Sequence, residues 1–240
     1  MIPKIIHYCW FGKKPLPKTV VKCINSWKKF LPDYIIKEWN EDNFCVSQYP
    51  YAAQAYVKGK YAFVSDVARF YALYNEGGIY FDTDVELVRP IDDILLRGAF
   101  LGVETPSING SYPRVAAGLG CAFEKGHPIV KEMLQRYAAA TFADEETVVE
   151  KLTSLMRDYG LQPINDVYQI AGVWIYPQDY FCPLDDLTGR MHKTKNTRSI
   201  HWFDKTWVDN YGPVRTYFTR LLHRVIGVNA SQKLKKLCPR

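Results

Sequence analysis

The chain has 240 residues, of which 48% are hydrophobic and 15% aromatic, as expected for a globular protein with one large domain or two small ones. Its formal net charge is +6, but residues 211–240 contain seven Lys or Arg and no Asp or Glu, which leaves the rest at −1. The excess positive charge lies in the C-terminal tail, so the rest of the chain does not have the basic surface of a nucleic-acid-binding domain.

The six cysteines are scattered without a CxxC pair, so we predict reduced thiols and neither a zinc site nor a redox motif. The N-terminal MIPKIIHYCWFG lacks the basic region and long apolar run of a signal peptide, and no apolar stretch reaches transmembrane length. We therefore expect a cytoplasmic protein, with peripheral association on the inner face of the membrane as an added possibility.

The first part of the chain predicts strands that alternate with helices. KIIHYCWFG is a short apolar run closed by Gly12, which predicts a buried first strand. Apolar residues recur at helical spacing over 19–31, where Pro32 ends the pattern, and YIIKEW predicts a second strand. Residues 52–75 predict a helix with a break near KGK, which a Gly-Gly pair ends.

The later elements have weaker signals. AFLGVE and AAGLGCAF predict strands, HPIVKEMLQRYAAA and EETVVEKLTSLMRDYG predict helices, and GVWIYPQDYFCPL is strand-like with prolines. No repeat or linker divides the chain, so we predict one domain over 1–210 and a tail over 211–240. The alternation of elements predicts an α/β fold whose mixed, mostly parallel central sheet is flanked by helices.

The segment GGIYFDTDVEL, residues 77–87, places acidic residues in an apolar strand pattern. Side chains alternate along a strand, so Tyr80, Asp82, Asp84 and Glu86 are predicted to share one face. Carboxylates crowded on one face repel each other, but they become ligands when a divalent cation lies between them. A lone Asp-x-Asp also occurs on solvated strand edges, so the motif alone leaves both interpretations open.

A second polar cluster, SDVAR, lies just upstream. Asp66 and Arg69 are three residues apart and therefore face the same way on a helix. They could form an ordinary surface ion pair worth less than ~1 kcal/mol. The apolar neighbours of Arg69 instead favour a partly buried helix, where the pair could bind a sugar hydroxyl and a phosphate through the planar guanidinium.

AFVSDVARFYALYNEGGIYFDTDVEL resembles the signature of the glycosyltransferases that share a DXD-containing sugar-binding region. They include yeast mannosyltransferases, bacterial capsular polysaccharide transferases and, more distantly, the clostridial glucosylating toxins. The resemblance implies a single GT-A domain that moves a hexose from a nucleotide-sugar, a UDP-sugar in preference to GDP-mannose, with retention of configuration. The acceptor would be a glycan or lipid-linked glycan in surface polysaccharide synthesis.

The resemblance also implies roles for individual residues. Asp82 and Asp84 would meet the diphosphate and a divalent metal, Mn²⁺ in preference to Mg²⁺. Ser65, Asp66 and Arg69 would contact the donor around its sugar and ribose. The ring of Tyr80 would line the same pocket.

Two outlying stretches add candidates. IHYCWFG resembles the first strand of the family, so Trp10 would lie against the nucleotide base and Gly12 would allow close backbone approach. A core tryptophan is an equal alternative for Trp10. SIHWFDKTW resembles the late His-x-Trp stretch, so His201 would add a third metal contact and Trp207 a pocket wall. Lys-Thr precedes Trp207 where Ser is common in the family, which weakens that assignment.

Two other functions compete with the glycosyltransferase. IYFDTDVEL also resembles the strand of a haloacid-dehalogenase-type phosphatase, in which the first Asp is the nucleophile. That family has Thr or Val at the position of Glu86, and it gives no role to SDVAR. The many aromatic residues also fit a metal-dependent carbohydrate-binding module without catalysis.

The basic tail allows two interpretations. Over 213–226, apolar residues recur at helical spacing while Arg and His fill the other positions, and Lys233, Lys235 and Lys236 follow. Such a helix can lie on an anionic membrane surface. Alternatively, its apolar face packs on the catalytic domain while its charges stay solvated.

Overall fold

The computed structural model describes residues 1–142, 146–204 and 213–227. The strands in these residues are β1 (Ile5–Cys9), β2 (Ile35–Trp39), β3 (Gly78–Tyr80), β4 (Val85–Leu87), β5 (Phe100–Thr105), β6 (Arg114–Phe123), β7 (Tyr168–Ile170), β8 (Val173–Tyr176) and β9 (Ser199–His201). The helices are α1 (Lys18–Phe30), α2 (Pro50–Val57), α3 (Tyr61–Glu76), α4 (Asp92–Leu95), α5 (Pro128–Ala139), α6 (Val148–Asp158), α7 (Gln178–Phe181) and α8 (Pro213–Ile226), with a short 3₁₀ turn at Val46–Gln48.

Seven strands form the central sheet in the order β2-β1-β3-β6-β5-β8-β7. The pairs β1–β2, β1–β3 and β5–β8 are parallel, and β3–β6, β5–β6 and β7–β8 are antiparallel. The predicted α/β fold with a mixed sheet is therefore confirmed. Because β1 and β3 are parallel neighbours, the residues that follow them, Trp10 and Asp82, lie at the same edge of the sheet.

The helix that precedes β3 is buried on most of its circumference. Two of its buried residues are polar, Asp66 and Arg69, and they lie among Val64, Val67 and Phe70. The break predicted near KGK separates α2 from α3. The predicted end of the helix is confirmed, because α3 stops at Gly77, where a φ of 69° turns the chain directly into β3.

The prediction of one continuous strand through the Asp-x-Asp is wrong. β3 ends at Tyr80, and β4 begins at Val85 in a separate two-stranded sheet with β9. Between them the chain turns, and the amide of Val85 donates to the carbonyl of Asp82 at 3.0 Å. Tertiary partners outweigh the strand pattern here, since the indole of Trp27 donates to the Val85 carbonyl at 2.8 Å and holds β4 against α1.

The later elements follow the sequence patterns with one exception. The segment predicted as a strand with prolines divides into β8 and the short helix α7, which Pro177 precedes. Apolar side chains cover both sides of the central sheet. Among the described residues, no helix has the length and apolar character to cross a membrane.

Candidate active site

The turn between β3 and β4 brings three metal-ligand side chains together. β9 pairs antiparallel with β4 and sets His201 opposite Val85, next to the Asp-x-Asp turn. The amide of Trp202 then donates to the Asp84 carbonyl at 3.1 Å. As a result, Asp82, Asp84 and His201 each offer one ligand atom, and these atoms lie within 4.8 Å of one another. The sequence-predicted metal residues thus converge, by a turn and a strand pair rather than by alternation along one strand.

Asp84 is held by two donors. His201 Nε2 lies 3.1 Å from Oδ1, and the amide of Asp204 donates to Oδ2 at 2.9 Å. Burial alone would raise the pKa of Asp84, but His201 and the Asp204 amide bring it below its ordinary value. Burial lowers the pKa of His201, yet the charge of Asp84 outweighs it and raises that pKa well above its ordinary value. Both shifts favour the charged forms of the two side chains.

Asp82 is held by Arg69 and Tyr80. Arg69 Nη2 lies 2.9 Å from Asp66 Oδ1 and 3.2 Å from Asp82 Oδ1, so one guanidinium bridges two carboxylates. The hydroxyl of Tyr80 also donates to Asp82 Oδ1 at 2.9 Å, and the guanidinium lies 4.8 Å from the centre of the Tyr80 ring. The repulsion expected between the acids is therefore compensated by the protein itself.

The Asp66–Arg69 pair is buried, so the surface ion-pair interpretation is wrong. The Arg69 side chain is 5% exposed, and its Nε donates to the carbonyl of Ser65 at 3.3 Å. Burial raises the pKa of Asp66 to about 6, although Arg69 opposes the rise. The guanidinium donors described here all point to protein acceptors, which makes Arg69 an organiser of the carboxylates.

Gly118, in β6, is a site residue that the sequence analysis missed. Its carbonyl accepts the Asp82 amide at 2.9 Å. A Cβ on this glycine would lie 1.9 Å from Asp82 Oδ2 and 3.4 Å from Arg69 Nη1. Only hydrogen fits between the strand and the carboxylate. The GLG sequence inside an apolar strand was the available signal, because a strand glycine often marks a close approach.

These residues open into a cleft of about 770 Å³. Its lining includes the metal-ligand cluster and the predicted residues Trp10, Ser65, Asp66, Arg69 and Tyr80. Trp10 is partly exposed, and its indole donates to the Lys14 carbonyl at 2.6 Å. Trp10 packs partly against the core and also lines the cleft, so its predicted contact with a nucleotide base stays a prediction.

Gly12 is not among the residues that line the described cleft. Its φ is +92°, and a Cβ there would lie 2.4 Å from the Tyr61 ring. Its amide donates to Glu41 Oε1 at 2.7 Å. The glycine lets the loop after β1 pack on α3, a different reason from the predicted approach to a nucleotide. Trp207 lies outside the described residues, so its predicted position in the pocket wall stays a prediction.

The donor set at the Asp-x-Asp turn fits a divalent cation. Two carboxylates supply hard oxygen ligands and one imidazole supplies nitrogen, a mixed set that suits Mn²⁺ better than Mg²⁺ and leaves further positions for water or phosphate. In the structure, His201 Nε2 lies 3.1 Å from Asp84 Oδ1, so both side chains face the same position. Asp82, Asp84 and His201 would hold the cation, which requires the imidazole in its neutral form.

Comparison with known proteins identifies this region. Residues 17–101 match the family model described as the glycosyltransferase sugar-binding region containing the DXD motif. Inositol phosphoceramide mannosyltransferase 3 of Schizosaccharomyces pombe is 31% identical over 145 residues, which cover 59% of this chain and 38% of that protein. An uncharacterized glycosyltransferase of Acanthamoeba polyphaga mimivirus is 27% identical over 76% of this chain and 78% of its own length. The chain thus matches well under half the length of the yeast relative.

Two solved structures share the fold. The PaToxG glycosyltransferase has a TM-score of 0.50 and 22% identity, covering 65% of this chain and 69% of that chain. A glycosyltransferase involved in glycosylation of the major capsid of PBCV-1 also has a TM-score of 0.50, with 11% identity, and covers 92% of this chain and all of that chain. The match over 17–101 contains both acids of the DXD turn, so this region resembles the sugar-binding region of the DXD-containing glycosyltransferases, and the solved structures share its fold.

Proposed function

We propose that the chain is a metal-dependent hexosyltransferase that uses a nucleotide-sugar donor, a UDP-sugar or GDP-mannose, and retains the anomeric configuration. The observation that carries the proposal is the convergence of Asp82, Asp84 and His201 within 4.8 Å at the edge of the cleft. A divalent cation held there would stabilise the negative charge that develops on the leaving nucleoside diphosphate.

The chain's own residues divide the work of binding the donor. Asp82 and Asp84 would hold the cation that binds the diphosphate, and Trp10, which also lines the cleft, would offer its ring as a stacking surface for the base. Arg69 and Tyr80 fix Asp82 from behind, at 3.2 and 2.9 Å, so that its carboxylate keeps one orientation. Asp66 and Ser65 face the cleft from α3, where they can accept hydrogen bonds from sugar hydroxyls.

The acceptor would be a glycan or a lipid-linked glycan, as in surface polysaccharide synthesis. The name of the S. pombe relative assigns it mannosyl transfer to inositol phosphoceramide. That name makes mannose the first sugar to test and supports a lipid-linked acceptor as the first acceptor class. The family match favours the transferase over both the phosphatase and the non-catalytic binding module.

The test is a panel of UDP- and GDP-sugars, incubated with the protein with and without Mn²⁺, in which release of nucleoside diphosphate is measured. We expect Mn²⁺-dependent release from one donor, and at least about 10³-fold less in Asp84→Asn, which loses a ligand charge at the reacting diphosphate. NMR of the product would give its anomeric configuration. Release that is independent of both Mn²⁺ and Asp84 would overturn the proposal.

A further inference from the structure

Helix α8 docks on the domain through its basic side. The sequence suggests, as one of two interpretations, that its apolar face packs on the domain instead. Arg220 Nη2 lies 3.4 Å from Asp186 Oδ1, and its Nε donates to the Asp186 carbonyl at 3.1 Å. His223 Nδ1 lies 2.8 Å from the Leu187 carbonyl, and Arg224 donates to the Thr188 carbonyl at 2.6 Å. For the side chains described, the interpretation with solvated charges and a packed apolar face is therefore wrong.

The apolar residues of the same helix point away from the domain. Leu221 is 41% exposed, Leu222 is 40% exposed and Val225 is 74% exposed. Val225 follows Leu221 by four residues and Leu222 by three, so the three side chains share one helix face. We call this the α8 apolar face. Three neighbouring aliphatic side chains left in water by a helix whose polar side is docked indicate a surface with a partner.

The loop that holds α8 leads into a positively charged segment. The loop on which α8 docks continues into exposed residues that include Leu187 and Met191 as well as Arg190, Lys193 and Lys195. The sequence contains no Asp or Glu from 187 to 203. It also contains none after residue 210, where Lys233, Lys235, Lys236 and Arg240 follow α8. The acids that contact α8 and this loop, Asp186 and Asp179, are engaged by Arg220 and by Thr194 and Asn196. Exposed aliphatic groups beside exposed Lys and Arg match the surface of an anionic bilayer.

We propose that the α8 apolar face, with the neighbouring basic loop, docks the protein on an anionic phospholipid bilayer. Leu221, Leu222 and Val225 enter the headgroup boundary, while Arg190, Lys193 and Lys195 contact lipid phosphates. Arg220 and Arg224 are engaged with the 186–189 carbonyls and serve to fix the helix rather than to bind lipid.

Docking through α8 has a consequence for the cleft, and this step rests on the proposed function. Asp186 lines the cleft and also binds Arg220, so α8 is anchored on a residue of the cleft wall. A bilayer bound through α8 would hold a lipid-linked acceptor on the same membrane surface as the protein that carries the cleft. Membrane binding itself can be measured without any enzymatic activity.

The test is cosedimentation of the full chain with vesicles of phosphatidylglycerol and phosphatidylcholine, compared with vesicles of phosphatidylcholine alone. We expect binding to the anionic vesicles that weakens with added salt. The double variant Leu221→Gln/Val225→Gln, which changes no charge, should bind at least about tenfold more weakly. Leu96→Gln removes a leucine that is 88% exposed elsewhere and is the matched control, expected to bind like wild type.

A second variant, Lys193→Gln/Lys195→Gln, should bind more weakly and show a smaller salt dependence. Circular dichroism would verify that each variant is folded. The proposal is overturned if wild type does not bind anionic vesicles, or if the double variant on α8 binds them like wild type. It is also overturned if sedimentation shows a wild-type dimer that the double variant on α8 converts to monomer, because the face would then bind a second copy.

Discussion

The substitution Gly118→Ala adds one methyl group where β6 meets the DXD turn. The new Cβ would lie 1.9 Å from Asp82 Oδ2 and 2.8 Å from its Cγ, whereas real Cβ contacts do not fall below 3.0 Å. The carboxylate must therefore move by at least 1.1 Å. Gly118 does not have a left-handed φ, so alanine fits its backbone, and the added atom acts mainly on Asp82.

The displacement is large on the scale of metal binding. Metal–ligand distances vary by only about 0.2 Å, and a misplacement of about 1 Å in an active site can cost about 10²-fold in rate. Movement away from β6 also lengthens the contacts of Asp82 with Arg69 and Tyr80, now 3.2 and 2.9 Å. We expect Mn²⁺-dependent turnover to fall by about 10²-fold, which corresponds to about 2.7 kcal/mol of transition-state stabilisation.

The assay is turnover of the donor identified by the nucleotide-sugar panel, together with calorimetric titration of Mn²⁺. Gly102→Ala is the matched control, because it adds the same methyl group to the neighbouring strand β5, also without a left-handed φ. Its Cβ would meet the Phe181 ring at 3.2 Å, and no ligand of the site. Turnover and Mn²⁺ affinity at the wild-type level in folded Gly118→Ala would refute the assigned role of Gly118.

Three further predictions concern the residues around the turn. Arg69→Lys keeps the charge but loses the planar guanidinium, whose Nε donates to the Ser65 carbonyl while Nη2 contacts Asp66 and Asp82, so we expect turnover to fall about tenfold or more, and a wild-type rate would contradict this positioning role. His201→Gln removes the imidazole ligand, so Mn²⁺ affinity by calorimetry should fall at least about tenfold, and an unchanged affinity would exclude His201 from the site. Trp27→Phe leaves the Val85 carbonyl without its indole donor, so denaturant unfolding should show a loss of about 1–3 kcal/mol, and an unchanged stability would show that water replaces the donor.

Much of the site could be predicted because its signals are local. Asp66 and Arg69 lie three apart on one helix, and Gly77 ends that helix directly before β3, so spacing along the chain fixed their relation. The parallel pairing of β1 and β3 then placed Trp10 and Asp82 at one sheet edge, as an α/β fold requires.

The remainder depends on contacts between residues distant in sequence. The strand pattern continued through the DXD segment, and only the partners Trp27 and Gly118 reveal the turn. The position of Gly118 follows from the approach of one strand to a carboxylate 36 residues earlier in the chain. The orientation of α8 could not be read from its amphipathic pattern, because Arg220 and Arg224 find acceptors in a loop more than thirty residues upstream.

The central claim is that Asp82, Asp84 and His201 hold a divalent cation on which the donor diphosphate binds. Titration of Mn²⁺ into the wild-type protein, followed by electron paramagnetic resonance with and without UDP or GDP, tests it most directly. We predict one bound Mn²⁺ whose spectrum changes when the diphosphate is added, and neither signal in folded Asp82→Asn or Asp84→Asn. Mn²⁺ binding of equal affinity and stoichiometry in both variants would contradict the claim.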